Sequence, residues 1–300
     1  MNQPQHERQR IAFGDELRTL RKSKKVTGVV LANETGISQS KLSKIETGAL
    51  IPSTQDLLQI FKVLYVPQSE MHRIVQTAQA LRTEYVSWRF EHRKGFGAKQ
   101  LEVAELEHQT RAIRAFRMEA IPGLLQTHEY ASHVMSLANF TRQTDLDWAV
   151  SMRMQRQQIL YDPSRKFEFI IAEMGVLSRY CPPSVVIRQL DRLKVLSGLP
   201  NVSIGFIPNR IPLPRPPINS FVLYDSSTAT LESITGEVST SDEQDLETYH
   251  KIFDDFAAVA LYGDAAAVFL DQCAHFLLEV ASQSAATDKE RMNQEYSWTP

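Results

Sequence analysis

The side chains with the clearest chemical use lie near the N-terminus, where hydrogen-bonding residues and lysines alternate with apolar ones. Leu42 and Ile45 stand three apart and predict the buried side of a helix over about residues 39–47. The opposite side is a polar face without an acid, flanked by Gln39 and Lys41. This polar face comprises Ser40, Ser43, Lys44 and Thr47. Such side chains suit the base edges of a DNA major groove, which is walled by phosphates.

Enzymatic chemistry has no comparable signal in the sequence. His128 and His133 stand five apart, so they do not share a helix face as the four-apart histidines of a zinc protease do. Three acidic residues lie near or between predicted helices, and so do not form the strand-borne cluster typical of a two-metal nuclease: Asp254, Asp255 and Asp264. The sequence also has no glycine-rich phosphate loop and no Gly-x-Ser-x-Gly elbow. It therefore predicts no catalytic residues, no metal and no cofactor.

The distribution of charge favours nucleic-acid binding by the first 85 residues and not by the rest of the chain. The first 85 residues carry 12 Lys and Arg against 8 Asp and Glu, whereas the remainder carries 21 against 27. A polyanion such as nucleic acid is expected to bind the cationic first 85 residues and not the acidic remainder. The reason is that cationic side chains release the counterions condensed on nucleic acid.

The predicted location is the cytoplasm, without membrane association. No stretch approaches the roughly 20 apolar residues of a membrane span, and the first thirty residues lack the apolar centre of a secretion signal. The two cysteines, Cys181 and Cys273, fit a reducing compartment better than a disulfide framework.

The elements that position the polar face are predicted to be five helices within residues 1–85. Phe13 and Leu17 begin the buried stripe of the first helix, and Thr27 caps the second. Gly36 marks the turn, and Ser38 caps the third helix. Pro52, Ser53 and Asp56 give a start signal with capping-box-like spacing for a fourth helix, and a fifth spans about residues 70–85. A linker is expected over residues 86–99.

Residues 27–48, "TGVVLANETGISQSKLSKIETG", and the later "PSTQDLLQIFKVL" resemble the helix-turn-helix of phage repressors and of the related XRE-type bacterial regulators. The resemblance implies that Gln39, Ser40 and Lys44 contact bases. It also implies that four residues contact the DNA backbone or assist: Thr27, Ser38, Lys41 and Ser43. The implied partner is a double-stranded DNA operator.

One position departs from this family. Gly28 and then Val29 follow Thr27, where the family usually has glutamine or another polar residue. The phosphate contact at the start of the second helix is therefore expected to be weaker, or to depend on backbone N–H groups.

The body of the chain is predicted to be an α+β or α/β domain over residues 100–283, followed by a polar tail over 284–300. Residues 101–116 and two following segments have helical patterns. Strands are predicted near residues 167–171, 202–207, 218–224 and 228–234, and further helices near 183–197, 243–262 and 264–282.

The body also resembles a known family. "IPGLLQTHEYA", "MRMQRQQIL" and "QLDRLKVLSGLPNVSIGFIP" look like the domain of uncharacterised function that follows this helix-turn-helix in many actinobacterial regulators. Such regulators are commonly encoded beside a small partner protein and control development or antibiotic production. The resemblance implies that the body receives a signal, and it names no ligand.

Five residues of these motifs are candidates for binding a partner or ligand: Gln126, Thr127, Tyr130, Arg153 and Arg156. The arginines could instead form ion pairs, and the segment around Gln126 could shape the backbone or bond inward.

The combined patterns predict a homodimeric transcriptional regulator whose body dimerises and senses a partner protein or ligand. Two alternatives stay open. One is an antitoxin-like module that sequesters a small partner and binds DNA only to regulate itself, and the other is a small-molecule sensor.

Overall fold

The computed structural model describes residues 3–88, 95–139 and 144–295. Within it the chain divides into an N-terminal unit, Met1–Phe90 with Ser227–Thr248, and a C-terminal unit, Glu91–Ser226 with Tyr249–Pro300. This division differs from the predicted domain bounds, because a segment far downstream in the chain belongs to the N-terminal unit.

The five predicted helices of the N-terminal unit are present. They are α1 (Gln3–Ser23), α2 (Gly28–Thr35), α3 (Gln39–Glu46), α4 (Thr54–Leu64) and α5 (Gln68–Arg82). One apolar core holds them together, and its members include Phe13, Leu17, Leu31, Leu42, Ile45, Leu57, Phe61 and Ile74. Burial of such side chains stabilises each by about 1.5–3 kcal/mol relative to exposure.

The predicted helix caps are confirmed. Thr27 Oγ1 accepts a hydrogen bond from Val30 N at 3.2 Å, and Ser38 Oγ accepts one from Lys41 N at 3.2 Å. Ser53 and Asp56 form a reciprocal capping box at the start of α4. Each cap satisfies a backbone N–H that a helix start leaves without an intrahelical partner.

Two glycines allow α1 and the end of α3 to touch. Gly48 has φ +74°, and a Cβ on it would lie 2.5 Å from the carbonyl oxygen of Arg10. A Cβ on Gly14 would lie 2.6 Å from Gly48 N. Backbone therefore packs on backbone here, and a side chain at either position would push α1 away from α3.

A three-stranded antiparallel sheet completes the N-terminal unit, in the order β1-β7-β6. Its strands are β1 (Thr83–Ser87), β6 (Thr228–Glu232) and β7 (Gly236–Thr240). The prediction that α5 continues to Tyr85 was wrong. The helix ends at Arg82, because residues 83–87 pair with β7, and this long-range pairing overrides the local helical pattern.

The C-terminal unit contains a four-stranded mixed sheet in the order β5-β2-β3-β4. Its strands are β2 (Ala112–Arg117), β3 (Lys166–Ala172), β4 (Val202–Ile207) and β5 (Phe221–Tyr224). Strands β2, β3 and β4 are parallel, and β5 is antiparallel to β2. The predicted mixture of helices with an α/β-type sheet is confirmed.

Seven further α-helices follow the first five within the described residues. They are α6 (Phe96–Gln109), α7 (His128–Leu137), α8 (Leu146–Arg156), α9 (Glu173–Leu177), α10 (Pro183–Leu196), α11 (Glu243–Ala257) and α12 (Gly263–Glu295). Helix α12 extends beyond its predicted end near Ser282, into the predicted polar tail. Helix α6 begins inside the predicted linker, of which residues 89–94 lie outside the described residues.

The helix predicted over residues 101–116 is present only as far as Gln109, and its predicted continuation to Phe116 was wrong. Helix α6 ends at Gln109, and β2 occupies residues 112–117. Ile113 and Ala115 are buried in the main core, and β2 pairs with strands on both sides. A central strand gains these partners only from distant parts of the chain.

The apolar helix α12 belongs to the core of the C-terminal unit. Contrary to the expectation that no stretch approaches a membrane span, residues 263–283 are long and apolar enough to cross a membrane by length and composition, with 28% of the most apolar window buried. Leu270, Cys273 and Leu277 of this helix pack in the main core. A core helix passes the same test, so this stretch is weak evidence for a membrane span.

Arg82, at the end of α5, ties together separate parts of the N-terminal unit. Its guanidinium donates to Asp242 Oδ2 at 2.8 Å and to the carbonyl oxygen of Pro52 at 2.5 Å. The Arg82 side chain is 3% exposed and that of Asp242 is 17% exposed. Burial by itself would raise the pKa of Asp242, but the hydrogen bonds from Arg82 and from Gln244 N–H lower it overall.

We expect Asp242→Asn to lower the free energy of unfolding by about 3 kcal/mol, because it leaves the buried charge of Arg82 without an anion. Urea unfolding of the full chain measures this loss. The difference from the unchanged chain should be complete above about pH 4, the ordinary pKa of Asp, and should vanish as the pH falls through the lowered folded-state pKa.

Glu129→Gln is the matched control, since Glu129 pairs with Arg188 and both side chains are 54% exposed. Its cost should stay below about 1 kcal/mol. Equal losses for the two variants would contradict the role given to the Arg82–Asp242 pair.

Candidate nucleic-acid interface

The structure places the polar face of α3 in solvent, as predicted. Ser40, Ser43, Lys44 and Thr47 are exposed, as is the flanking Gln39. On the opposite side Leu42 is 3% exposed and Ile45 is 1% exposed. The polar face presents two serine hydroxyls and an ammonium group to any ligand, and the flanking Gln39 adds an amide. The hydroxyl of Thr47 is already used, since it donates to the carbonyl oxygen of Ser43 at 3.0 Å.

Lys41, the second residue that flanks the polar face, forms an ion pair with Asp56. Its Nζ is 2.9 Å from Asp56 Oδ1 and 2.8 Å from Oδ2. Burial by itself would raise the pKa of Asp56, but hydrogen bonds from Lys41 and Ser53 lower it overall. Helix α3 is thus joined to the start of α4 through a charged pair that sequence spacing did not indicate.

Glu46, at the inner edge of α3, forms a buried two-pronged ion pair with Arg21 of α1. Arg21 Nε donates to Glu46 Oε1 at 2.6 Å, and Nη2 donates to Oε2 at 2.7 Å. Each side chain is 11% exposed. The third donor, Nη1, bonds the carbonyl oxygen of Val26 at 2.8 Å, just before α2. One guanidinium therefore links α1, the turn before α2, and α3.

The end of α3 is also held from α1. Arg10 Nη2 donates to the carbonyl oxygen of Ala49 at 2.9 Å, and Nε donates to that of Gly48 at 3.2 Å. These carbonyl groups follow the last turn of α3, where a cation is favoured. Arg10, Arg21 and Asp56 all position the polar face, and none of these roles has a local sequence signal, because each partner is distant along the chain.

The start of α2 is open to solvent. Thr27 is exposed, and a Cβ on Gly28 would meet nothing within 4 Å. Val29 and Val30 follow with exposed fractions of 52% and 47%. A polar side chain at position 28 therefore fits without any rearrangement.

The candidate residues of the C-terminal unit are brought together in its interior, around the turn at residues 121–127. Gln126 Nε2 donates to the carbonyl oxygen of Ile121 at 2.7 Å, and Arg153 Nη1 donates to Gln126 Oε1 at 2.7 Å. Gln157 and Gln189 bond further peptide groups of the same turn. Buried side-chain amides thus satisfy a segment whose backbone forms no sheet ladder.

Arg156 and Glu107 lie beside this turn. Arg156 Nη1 is 3.2 Å from Glu107 Oε1, and the two side chains are 9% and 5% exposed. Burial raises the pKa of Glu107, although Arg156 and Arg153 act in the opposite direction. The charges of both arginines face an interior carboxylate.

Thr127 and Tyr130 also have internal partners. Thr127 Oγ1 caps α7 by accepting from Tyr130 N at 3.2 Å. The hydroxyls of Tyr130 and Tyr180 lie 2.6 Å apart, and Tyr180 donates to the carbonyl oxygen of Glu119 at 2.9 Å. Gln126, Thr127, Tyr130 and Arg153 are thus engaged in internal hydrogen bonds, and Arg156 is engaged in an ion pair with Glu107.

Other reactive groups do not assemble into a site in the part of the chain that the structure describes. Within those residues no group of three or more His, Cys, Asp or Glu side chains could hold a metal ion. Burial raises the pKa of Cys181 to about 11 and that of Cys273 to about 12. Their thiolate forms, which carry cysteine nucleophilicity, are therefore suppressed at neutral pH.

We expect Glu46→Gln to lower the free energy of unfolding by about 3–5 kcal/mol, because Arg21 would keep a buried charge without an anion. Thermal unfolding measures the loss, and hydrogen exchange should show faster exchange in α3. The double variant Arg21→Met with Glu46→Leu should regain most of the stability, since it removes both buried charges. A double variant no more stable than Glu46→Gln would contradict this account.

Comparisons with known proteins identify both parts of the chain. A family profile described as "Helix-turn-helix domain" matches residues 12–74, which contain the polar face. A second profile, described as "Domain of unknown function (DUF5753)", matches residues 100–272, more than half of the chain. The two resemblances inferred from the sequence, to a helix-turn-helix and to a following domain of uncharacterised function, are confirmed.

Two solved structures resemble the chain at low similarity. A phospholipase D family member, Nuc from Salmonella typhimurium, matches at 10% identity and a TM-score of 0.34, covering 60% of this chain and 97% of that one. TrmBL2, an archaeal chromatin protein, matches at 9% identity and a TM-score of 0.33, covering 69% and 66%. Neither likeness is strong enough to carry an argument about fold or function.

No curated protein matches the sequence significantly. With its larger part matched by one family and its N-terminal part by a helix-turn-helix domain, the chain belongs to the family defined by the domain of unknown function DUF5753.

Proposed function

We propose that the protein is a sequence-specific, XRE-type transcriptional regulator that acts in the cytoplasm on a double-stranded DNA operator. The observation that carries the proposal is the exposed, acid-free polar face of α3. A helix-turn-helix motif consists of two helices, here α2 and α3. The later of the two enters the major groove and brings its N-terminal residues to the base edges. Gln39, Ser40 and Lys44 are the base-contacting residues of this proposal. Thr27, Ser38 and Ser43 face the phosphate backbone.

In this proposal the C-terminal unit has the regulatory role. It pairs two copies of the chain and receives a signal from a small partner protein or ligand, in the control of actinobacterial development or antibiotic production. Membership of the DUF5753 family supports a regulatory role only by its association with a helix-turn-helix. A dimer would place two copies of α3 in half-sites about one helical turn, or 10 base pairs, apart or a multiple of that distance.

We expect Lys44→Ala and Gln39→Ala each to reduce discrimination between operator and scrambled DNA by roughly 1–3 kcal/mol, because each removes a base contact. The operator is first located by chromatin immunoprecipitation, with co-purified proteins identified from the same sample. Quantitative footprinting on the operator and on scrambled DNA then measures the affinity ratio. Lys251→Ala is the control, since it removes another exposed lysine, one that lies in the C-terminal unit.

An unchanged affinity ratio in both α3 variants would remove the assignment of the polar face to base contacts. A protected region of only one half-site would argue against the dimer. If a partner protein co-purifies in equal amount, and if a chain carrying both Gln39→Ala and Lys44→Ala loses DNA binding but keeps the biological effect, the antitoxin-like alternative replaces the regulator.

Gly28→Gln should raise the affinity for operator and scrambled DNA alike by roughly two- to tenfold, equivalent to the ~0.5–1.5 kcal/mol of one net hydrogen bond. The reason is that position 28 is open to solvent at the exposed start of α2 and lacks the polar side chain that is usual in XRE-type helix-turn-helix domains. Gly28→Ala is the matched control, because it adds a Cβ without a polar group. An equal gain in both variants would show that helix stability, and not phosphate contact, causes the change.

A further inference from the structure

We propose that Asp56 sets the balance between specific and non-specific DNA binding by holding Lys41 away from the phosphate backbone. The inference deepens the proposed function and rests on it. In this arrangement Asp56 is a positioning residue, and Lys41 is a cation that it withholds.

The geometry makes Asp56 the fixed member of the pair. Its carboxylate accepts from Ser53 N at 3.0 Å while its own backbone N–H donates to Ser53 Oγ at 3.0 Å. The Asp56 side chain is only 11% exposed, whereas that of Lys41 is 43% exposed. The capping box therefore holds the carboxylate in place, and the flexible lysine stem comes to it.

Lys41 is placed where a phosphate could compete for it. It lies one position after Ser40 on α3, about 100° around the helix from that residue of the polar face. Its ammonium group is compact and mobile on a four-carbon stem, so it can exchange one oxygen anion for another. While Asp56 binds it, the charge of Lys41 is neutralised within the protein.

The consequence concerns the number of cations that α3 offers to DNA. Lys44 forms no ion pair among the described residues, so its charge is available to DNA. Releasing Lys41 would add one phosphate contact, which strengthens binding to every sequence equally. Retaining Lys41 therefore keeps non-specific affinity low and leaves discrimination to Gln39, Ser40 and Lys44.

The first measurement needs no DNA. Limited acetylation of the full chain, followed by mass spectrometry, should show Lys41 modified more slowly than Lys44. In Asp56→Asn this protection should disappear, because the amide keeps a capping oxygen but has no charge to hold the ammonium. Ser53→Ala, which weakens the cap and keeps the carboxylate, should leave Lys41 protected.

The second measurement is fluorescence anisotropy with a short random-sequence duplex, over about 50 to 300 mM KCl. In Asp56→Asn the slope of log affinity against log salt should steepen by about 0.9, and affinity near 0.1 M salt should rise by about five- to tenfold. Adding Lys41→Met to Asp56→Asn should return the slope to that of Lys41→Met alone. This cycle separates a released lysine from the mere loss of a negative charge near DNA.

The results that overturn the inference are distinct. If the unchanged chain binds the duplex and Asp56→Asn has the same salt slope, Asp56 does not withhold Lys41. The same conclusion follows if Lys41 is acetylated as fast as Lys44 in the unchanged chain. If no variant binds this duplex or the operator at any salt, the proposed function fails, and the inference fails with it.

Discussion

The buried ion pair between Arg21 and Glu46 is the interaction on which the presentation of α3 depends. A planar guanidinium meets a carboxylate through two short hydrogen bonds, and its remaining donor holds the turn before α2. Such a pair costs free energy to desolvate and has strict geometry, so it selects one arrangement of the helices. The backbone contact between Gly14 and Gly48 permits that arrangement by letting α1 and α3 approach closely.

Charged side chains around α3 thus have two separate uses. Arg10, Arg21 and Glu46 position the helix from its inner side and its end, while Lys44 stands in solvent. Lys41 lies between these groups, half exposed and paired with Asp56. The proposed interface is defined as much by the charges that are paired within the protein as by the charges that are exposed and unpaired.

Buried hydrogen bonds and a buried ion pair also hold the C-terminal unit together. Here they involve residues that the sequence had indicated as candidate ligand contacts. Gln126, Gln157 and Gln189 satisfy the turn at residues 121–127, and Arg156 faces Glu107 inside the protein. The most recognisable motif of this unit therefore builds its interior. In sequence, an inward-bonding glutamine and a ligand-binding one look the same, so the motif identified the family without showing what its side chains contact.

The sequence by itself determined helices α2, α3 and α4, their caps and the exposed side of α3, because these depend on residues within a few positions of one another. Thr27, Ser38 and the Ser53–Asp56 box illustrate such local control. Only the tertiary structure decided that residues 83–87 and 112–117 are strands, and that Lys41 meets Asp56. Strand pairing and ion pairing join groups that are distant along the chain, and a one-dimensional pattern does not contain their distances.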